Sequence, residues 1–170
     1  SHAPVHIKGD IEFKGVRFGY IPEEPVIKDI SFSVEAGQTI ALVGATGAGK
    51  STIINLLTRF YEINQGQIDI DGVGISEFSL AGLRSHIAVV LQDVFLFADT
   101  ILHNITLGDP EITEAMVVAA AKEIGVHDFI SSLPGGYHYN VKERGTTLSS
   151  GQRQLIAFLR AFVSKPSILI

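Results

Sequence analysis

Several features are scarce in this sequence of 170 residues, beginning with cysteine, which does not occur at all. Its absence excludes disulfide bonds, zinc–thiolate sites and thiol catalysis. No apolar run approaches the roughly 18 consecutive residues that a membrane-spanning helix needs. Basic residues number only 13 against 18 acidic ones, which gives a formal net charge of −5. Because nucleic-acid binders usually carry a basic surface, we expect no nucleic-acid partner.

A glycine-rich stretch, Gly-Ala-Thr-Gly-Ala-Gly-Lys-Ser-Thr at residues 44–52, gives the clearest functional signal. It follows an apolar run at residues 39–43 that predicts a buried strand, and it precedes apolar side chains spaced for one face of a helix. A strand, a glycine-rich loop and a helix in this order are typical of a P-loop. The alternative interpretation is a glycine-rich turn with Lys50 as an ordinary solvated charge.

The residue types in this stretch suit phosphate chemistry. Gly44, Gly47 and Gly49 permit the positive φ angles and the close backbone approach that a ring of N–H donors around a phosphate needs. The helix start adds unpaired amides and a partial positive charge. Lys50 is placed to bridge the β- and γ-phosphates, and the Ser51 hydroxyl to ligate Mg²⁺. We therefore predict ATP and Mg²⁺ as cofactors.

Alternating apolar and polar side chains predict strands in the first half of the sequence. Residues 11–18 and 30–34 indicate an antiparallel β section, and residues 67–70 a further short strand. Asp71-Gly72 is typical of a hairpin turn. The continuous apolar run at residues 87–91 predicts a buried strand.

The second half is mostly helical in pattern. Thr113 and Gly125 are the predicted N-cap and stop of one helix, and a second helix is expected near residues 128–133. A third apolar stripe at residues 155–162 is followed by the start of a buried strand at residues 168–170. We interpret residues 92–149 as a mostly helical insertion in an α/β core, which this last helix and strand follow.

A second anion site is predicted before the last helix, where residues 148–152 read Leu-Ser-Ser-Gly-Gln. Hydroxyl groups and the free amides of a helix start can bind phosphate, as a P-loop does. The simpler alternative is that Ser149 only caps the helix.

These motifs together resemble the nucleotide-binding domain of a bacterial ATP-binding cassette (ABC) exporter. Residues 148–152, followed by Arg153-Gln154, resemble the ABC signature motif, and residues 44–52 match its Walker A motif. Gln92 is similar to the Q-loop glutamine, and Tyr20 to the A-loop aromatic residue. Residues 141–145, Val-Lys-Glu-Arg-Gly, resemble the X-loop of the exporter branch.

The resemblance implies an ABC ATPase fold, in which a P-loop core carries an N-terminal antiparallel β section and an inserted helical subdomain. The expected boundaries are a linker or tag remnant at 1–9, the ATP-binding core at 10–91, a helical subdomain with Q-loop and X-loop at 92–148, and the signature helix with the start of the Walker B strand at 149–170.

The resemblance also implies individual roles. Tyr20 would stack on adenine, unless it only covers the sheet as a strand-end aromatic. Gln92 would reach Mg²⁺ and the attacking water, unless it merely ends a strand. Lys50 and Gln92 are the implied catalytic residues, and Ser51 and Gln92 the implied metal contacts. The implied nucleotide contacts are Tyr20, Gly44, Thr46, Gly47, Ala48, Gly49, Lys50, Ser51, Thr52, Ser149, Gly151 and Gln152.

The implied partners are a second nucleotide-binding domain and transmembrane domains of the same polypeptide, at the cytoplasmic face of the cell membrane. In a head-to-tail dimer, Ser149 and Gly151 would contact the γ-phosphate held by the opposite protomer, although the sequence equally permits a contact within one chain. Phe95, Phe97 and Ile101, with the Glu143-Arg144 region, would contact the transmembrane domains. The alternative places the phenylalanines in the core of the helical section.

Two departures from the family pattern affect the expected activity. Ser150 replaces the glycine most common at the third signature position, and we expect phosphate contact to survive this small change. Residues 168–170 resemble the strand leading into Walker B. The Walker B Asp and the catalytic Glu that would come next are not among the 170 residues. We therefore expect nucleotide binding without efficient hydrolysis. Alternative functions are a soluble ABC-class ATPase outside transport and a degenerate, non-hydrolysing nucleotide site.

The remaining polar residues give no metal signal. Asp69 and Asp71 flank the predicted hairpin and suit turn roles better than metal ligation. The histidines are interpreted as structural or solvated, because their spacing matches no metal site, and they lie at positions 2, 6, 86, 103, 127 and 138.

Overall fold

A computed structural model describes residues 6–43, 47–142 and 147–170 of the chain. The chain divides into two compact units, Ser1–Ile87 with Ile170, and Ala88–Leu169. None of the helices in these described ranges combines the length and apolarity required to span a bilayer.

The first unit is built on an antiparallel sheet, as the alternating pattern predicts. Its elements are β1 (Ile11–Phe18), β2 (Ile27–Val34), α1 (Gly47–Leu57), β3 (Gln65–Ile70), β4 (Val73–Gly74) and α2 (Leu80–Ser85). The strand order is β2-β1-β3-β4, and every pairing is antiparallel. Cross-strand partners Phe13 and Phe32 stack with ring centroids 4.5 Å apart, and Val16, Ile68 and Ile70 are fully buried.

The Asp71-Gly72 turn connects β3 and β4 as predicted. Both residues have positive φ, 52° and 76°, which is the geometry of a two-residue hairpin that follows the strand twist. The Asp71 carboxylate also accepts hydrogen bonds of 2.7, 3.0 and 2.9 Å from the backbone N–H groups of Lys8, Gly9 and Asp10. Asp71 is therefore a turn residue that fixes the chain entering β1.

Residues 39–43 contradict the predicted buried strand. They form no strand and are exposed, with Val43 at 90% of its full accessibility. An apolar run of this kind is buried only when sheet neighbours and packing layers cover it, and no described strand pairs with it. The hydrophobicity of residues 39–43 indicated only that this segment tends to be buried. The described residues provide no neighbouring strand that would bury it.

The second unit is mostly helical and has its own core. Its elements are α3 (Ile101–Thr106), α4 (Glu114–Ile124), α5 (His127–Ser132), α6 (Ser150–Phe162) and β6 (Ile168–Leu169), and the short strand β5 (Ile87–Ala88) includes the last residue of the first unit's main segment and the first residue of the second. β5 and β6 form a two-stranded sheet. The buried side chains at its centre include Leu96, Ile101, Ile105, Val117, Ala121, Ile130, Val141, Ile156 and Leu159.

The predicted ends of α4 are confirmed. The Thr113 hydroxyl accepts a hydrogen bond from the Met116 N–H at 3.2 Å, and Gly125 ends the helix with a φ of 81°. The predicted strand at residues 87–91 is wrong in extent, because β5 ends at Ala88 and Leu91 is 68% exposed. The partner strand β6 has only two residues and pairs only with β5, the first part of the apolar run at residues 87–91.

Candidate nucleotide-binding site

The predicted P-loop helix exists as α1, which begins at Gly47 and contains Lys50 and Ser51 in its first turns. Lys50 is half-buried, Ser51 is exposed and Thr52 is completely buried. No acidic side chain lies in the first turn of α1, so no carboxylate of that turn opposes the positive end of the helix dipole.

The described residues include only part of the predicted phosphate loop. Gly44 and Thr46 lie outside the described residues, while Gly47 and Ala48 open the helix. Gly49 lies within α1 and does not use the positive φ that glycine permits. A Cβ at Gly49 would lie 3.9 Å from Cδ1 of Ile27, an ordinary contact. The helix has already begun there, so its φ takes the negative value of helical residues.

Tyr20, in the loop after β1, contacts the P-loop helix. Its hydroxyl lies 3.1 Å from Thr52 Oγ1 and accepts a hydrogen bond of 3.3 Å from Asn55 Nδ2. The side chain nevertheless remains 48% exposed. The predicted base-stacking residue and the predicted phosphate-binding helix therefore lie together in the first unit, joined by hydrogen bonds from Tyr20 to both Thr52 and Asn55 of α1.

Two further aromatic rings surround Tyr20. The Phe18 ring lies edge-on to it, with centroids 4.9 Å apart and planes at 84°, and the Tyr61 ring lies edge-on at 4.8 Å and 86°. Sequence reasoning missed Tyr61 and Asn55 as neighbours of Tyr20. Asn55 could have been found from its helical spacing of three residues from Thr52, whereas the position of Tyr61 depends on tertiary packing.

The loop that carries Tyr20 is held by close backbone contacts. Gly19 donates its N–H to Asn64 Oδ1 at 2.9 Å. A Cβ at Gly19 would lie 2.6 Å from the Glu24 carbonyl oxygen, which is a steric clash with backbone. Glycine is required at this position because the two sides of the loop approach so closely.

The signature segment caps helix α6. Ser149 Oγ accepts a hydrogen bond of 3.1 Å from the Gln152 N–H, and Gln152 Oε1 accepts one of 2.9 Å from the Ser149 N–H. This reciprocal pair is a capping box, so the predicted N-cap role of Ser149 is confirmed. Ser150 and Gly151 are exposed in the first turn of α6.

Gln92 lies in the second unit and is exposed. It does not directly end a strand, since β5 stops at Ala88. Its carbonyl oxygen accepts a hydrogen bond of 2.5 Å from Gln154 Nε2. Because Gln154 is a residue of α6, the signature helix and the predicted Q-loop are directly connected.

A buried asparagine, missed in the sequence, fixes the segment after Gln92. Asn104, which is fully buried, accepts a 2.7 Å hydrogen bond from the Phe97 N–H and donates 3.0 Å bonds to the carbonyl oxygens of Phe97 and Thr100. Arg160 of α6 donates to the carbonyl oxygens of Asn104 at 2.7 Å and Phe95 at 3.2 Å. Burial lowers the pKa of the Arg160 guanidinium, which nevertheless stays charged at neutral pH.

Phe95 and Phe97 are exposed on this anchored segment, at 56% and 49%. Their rings meet edge-on at 4.9 Å, and they line a groove of about 530 Å³ with Leu107 and His103 among its other walls. The interpretation that buried both phenylalanines is therefore wrong, whereas Ile101 is fully buried in the core. Glu143, Arg144 and Gly145 of the predicted X-loop lie outside the described residues.

No group of three or more potential metal-ligating side chains occurs among the described residues. Asp69 is buried and accepts hydrogen bonds from Lys14 Nζ at 3.0 Å and Gln67 Nε2 at 2.6 Å. Burial raises the pKa of its carboxyl, but the hydrogen bonds from Lys14 and Gln67 and the Lys14 charge outweigh burial and hold the pKa below its ordinary value. Asp69 is thus a structural ion-pair residue.

The chain is similar to a known protein family and to several known proteins. The family described as ABC transporter matches residues 27–170. The ATP-dependent lipid A-core flippase of Saccharophagus degradans is 51% identical over 163 residues, which are 96% of this chain and 28% of the flippase. The fatty acid ABC transporter ATP-binding/permease protein of Mycobacterium tuberculosis is 48% identical over 165 residues, 97% of this chain and 26% of that protein.

The fold is also similar to that of a bacterial Atm1-family ABC exporter solved with ATP bound. The TM-score is 0.83 and the identity 43%, over 98% of this chain and 29% of the exporter chain. The chain therefore spans between a quarter and a third of the length of these relatives. The family match, the sequence identities and the shared fold all lead to one conclusion: the chain belongs to the ABC transporter family.

Proposed function

We propose that this chain is the ATP-binding motor domain of an exporter, in which ATP binding and hydrolysis drive transport of a substrate across a membrane. Its relatives include a flippase and an ATP-binding/permease protein, which favours a transport function over that of a soluble ABC-class ATPase. The observation that carries the proposal is the contact of Tyr20 with Thr52 on the P-loop helix. This contact places the exposed Tyr20 ring beside α1, the helix whose N-terminus is proposed to bind phosphate.

The residues of the first unit fit a nucleotide. The start of α1 offers backbone amides and the Lys50 ammonium to phosphate oxygens, with no acidic side chain in its first turn to repel them. We assign the phosphate contacts to the segment from Gly44 to Thr52 and the adenine contact to the half-exposed Tyr20 ring. Base stacking on an aromatic side chain contributes about 1–3 kcal/mol in other systems.

We assign an Mg²⁺ contact to the Ser51 hydroxyl, because Mg²⁺ prefers oxygen ligands. The resemblance to ABC ATPases separately implies an Mg²⁺ contact for the side-chain amide oxygen of Gln92. A bound Mg²⁺ neutralises developing charge on the phosphates during phosphoryl transfer. Lys50 contributes a fixed positive charge, and Gln92 can orient a water molecule through its amide, so both are proposed as catalytic residues.

We further propose that Ser149, Gly151 and Gln152 contact the nucleotide of a second nucleotide-binding domain in a head-to-tail dimer. The Ser149 hydroxyl and the first amides of α6 are the relevant donors. The proposed contact surface for transmembrane domains is the groove beside Phe95 and Phe97, with the region around Glu143. An exposed apolar groove of this kind suits a short docking helix, and it would place the domain at the cytoplasmic face of the membrane.

The test is Mg-ATP binding measured by isothermal titration calorimetry. Lys50→Ala is expected to weaken binding about 10- to 100-fold, because it removes a charge-assisted hydrogen bond to phosphate. Lys28→Ala is the matched control, since Lys28 is an exposed lysine on β2, and it should bind as the wild type does. Equal binding by the wild type and Lys50→Ala would refute the proposed site.

A further inference from the structure

The aromatic ring of Tyr20 is half-exposed, yet its position is fixed on several sides. Thr52 and Asn55 hold its hydroxyl at 3.1 and 3.3 Å. Phe18 and Tyr61 contact its ring edge-on at centroid distances of 4.9 and 4.8 Å. An exposed tyrosine with so many specific contacts has little freedom to rotate.

We infer that Tyr61 and Asn55 are positioning residues that hold the Tyr20 ring in the orientation needed to stack on adenine. The inference rests on the proposed function, in which Tyr20 is the base-stacking residue. Tyr61 and Asn55 act through Tyr20 and need not touch the nucleotide themselves.

The physical basis is pre-organisation. A free side chain loses conformational entropy when a ligand immobilises it, and this loss weakens binding. A ring already fixed before ATP arrives avoids most of that cost. The right-angled contact of Tyr61 with Tyr20 is one of the favourable aromatic arrangements, and it leaves room for a base because Tyr20 stays 48% exposed.

The exposure of Tyr61 argues against a role in the core alone. Tyr61 is 47% exposed, whereas Phe18 is 4% exposed and belongs to the core of the first unit. The neighbouring Phe60, 64% exposed, lies under the guanidinium of Arg84, whose Cζ is 4.4 Å from the ring centroid. Adjacent exposed aromatic residues thus have different contacts, and Phe60 provides a matched control.

The experiment compares two ligands, Mg-ATP and Mg-tripolyphosphate, by displacement of a fluorescent ATP analogue. Tyr61→Ala is expected to weaken ATP binding about two- to tenfold, which corresponds to the cost of immobilising one side chain. Tripolyphosphate has no base, so its affinity should not change. Tyr61→Phe should restore ATP binding because it keeps the ring, and Phe60→Ala should bind both ligands as the wild type does.

Asn55→Ala tests the hydroxyl contact independently, with the same expected selectivity for ATP over tripolyphosphate. If Tyr61→Ala folds poorly by circular dichroism, Tyr61→Leu replaces it, because leucine keeps apolar bulk without an aromatic ring. Unchanged ATP binding in the Tyr61 and Asn55 variants, or an equal loss of both ligands, would overturn the inference while leaving the proposed function intact. Failure of the wild type to bind ATP would overturn both.

Discussion

Replacement of Asn104 by alanine tests how the segment after Gln92 is held. The Asn104 side chain makes hydrogen bonds of 2.7, 3.0 and 3.0 Å with the backbone of Phe97 and Thr100. Each such bond contributes a net of about 1 kcal/mol, so their loss is expected to lower the free energy of unfolding by about 3 kcal/mol. The cost is high because this side chain is fully buried and its former partners would be left in a poorly hydrated place.

Urea unfolding followed by circular dichroism measures this change. The matched control is Asn140→Ala, because Asn140 is an exposed asparagine of the same unit, and it should change stability by no more than about 0.5 kcal/mol. A loss below about 1 kcal/mol for Asn104→Ala would refute the reasoning, since it would mean that water or a rearranged loop replaces most of these bonds.

Three further predictions concern other parts of the chain. Gly66→Ala should destabilise the first unit by more than about 2 kcal/mol in urea unfolding, because Gly66 has a φ of +92° and a Cβ there would lie 2.4 Å from the Gly15 carbonyl oxygen. The control Gly37→Ala should cost only about 1 kcal/mol, because Gly37 has a similar φ of +83° but open space around the position of a Cβ. Since the pKa of Asp69 is lowered from its ordinary value, its stabilising contribution is present above the unfolded-state pKa and is lost as the pH falls through the folded-state pKa. Stability should therefore fall less steeply with decreasing pH for Asp69→Asn than for the wild type in acid unfolding, and identical slopes would contradict this. Ser149→Ala should lower stability by about 1 kcal/mol in the same urea assay through loss of the N-cap, and no change would mean that the cap is dispensable.

Local sequence signals predicted the elements whose geometry is set by a few neighbouring residues. The Asp71-Gly72 turn requires two positive φ angles, which this pair adopts at little cost, so the hairpin follows from two residues. The cap residues Thr113 and Gly125 likewise define the ends of α4 by local hydrogen bonding and backbone conformation. In both cases no distant residue is needed to decide the structure.

Features that depend on distant residues were not predictable in this way. The run at residues 39–43 is apolar enough for a buried strand, but burial depends on neighbouring strands that its own sequence does not encode. Tyr61 contacts Tyr20 across 41 positions of sequence, and no periodicity connects them. Asn104 appears in the sequence as one polar residue in an apolar helix face, and only its buried bonds to the Phe97 backbone explain it.

The two interpretations of Ser149 are chemically compatible. In the capping box its hydroxyl oxygen accepts one hydrogen bond from the Gln152 N–H at 3.1 Å. A serine hydroxyl has two acceptor lone pairs and one proton of its own, so capping uses the oxygen as an acceptor and does not consume the donor. The same hydroxyl can therefore donate to a phosphate oxygen while the cap stays intact, and the cap fixes its direction beforehand. Ser149→Thr would keep a hydroxyl that can both cap α6 and donate to phosphate, whereas Ser149→Ala would remove both functions together. A comparison of the two variants therefore separates the effect of losing the hydroxyl from other effects of replacing the residue.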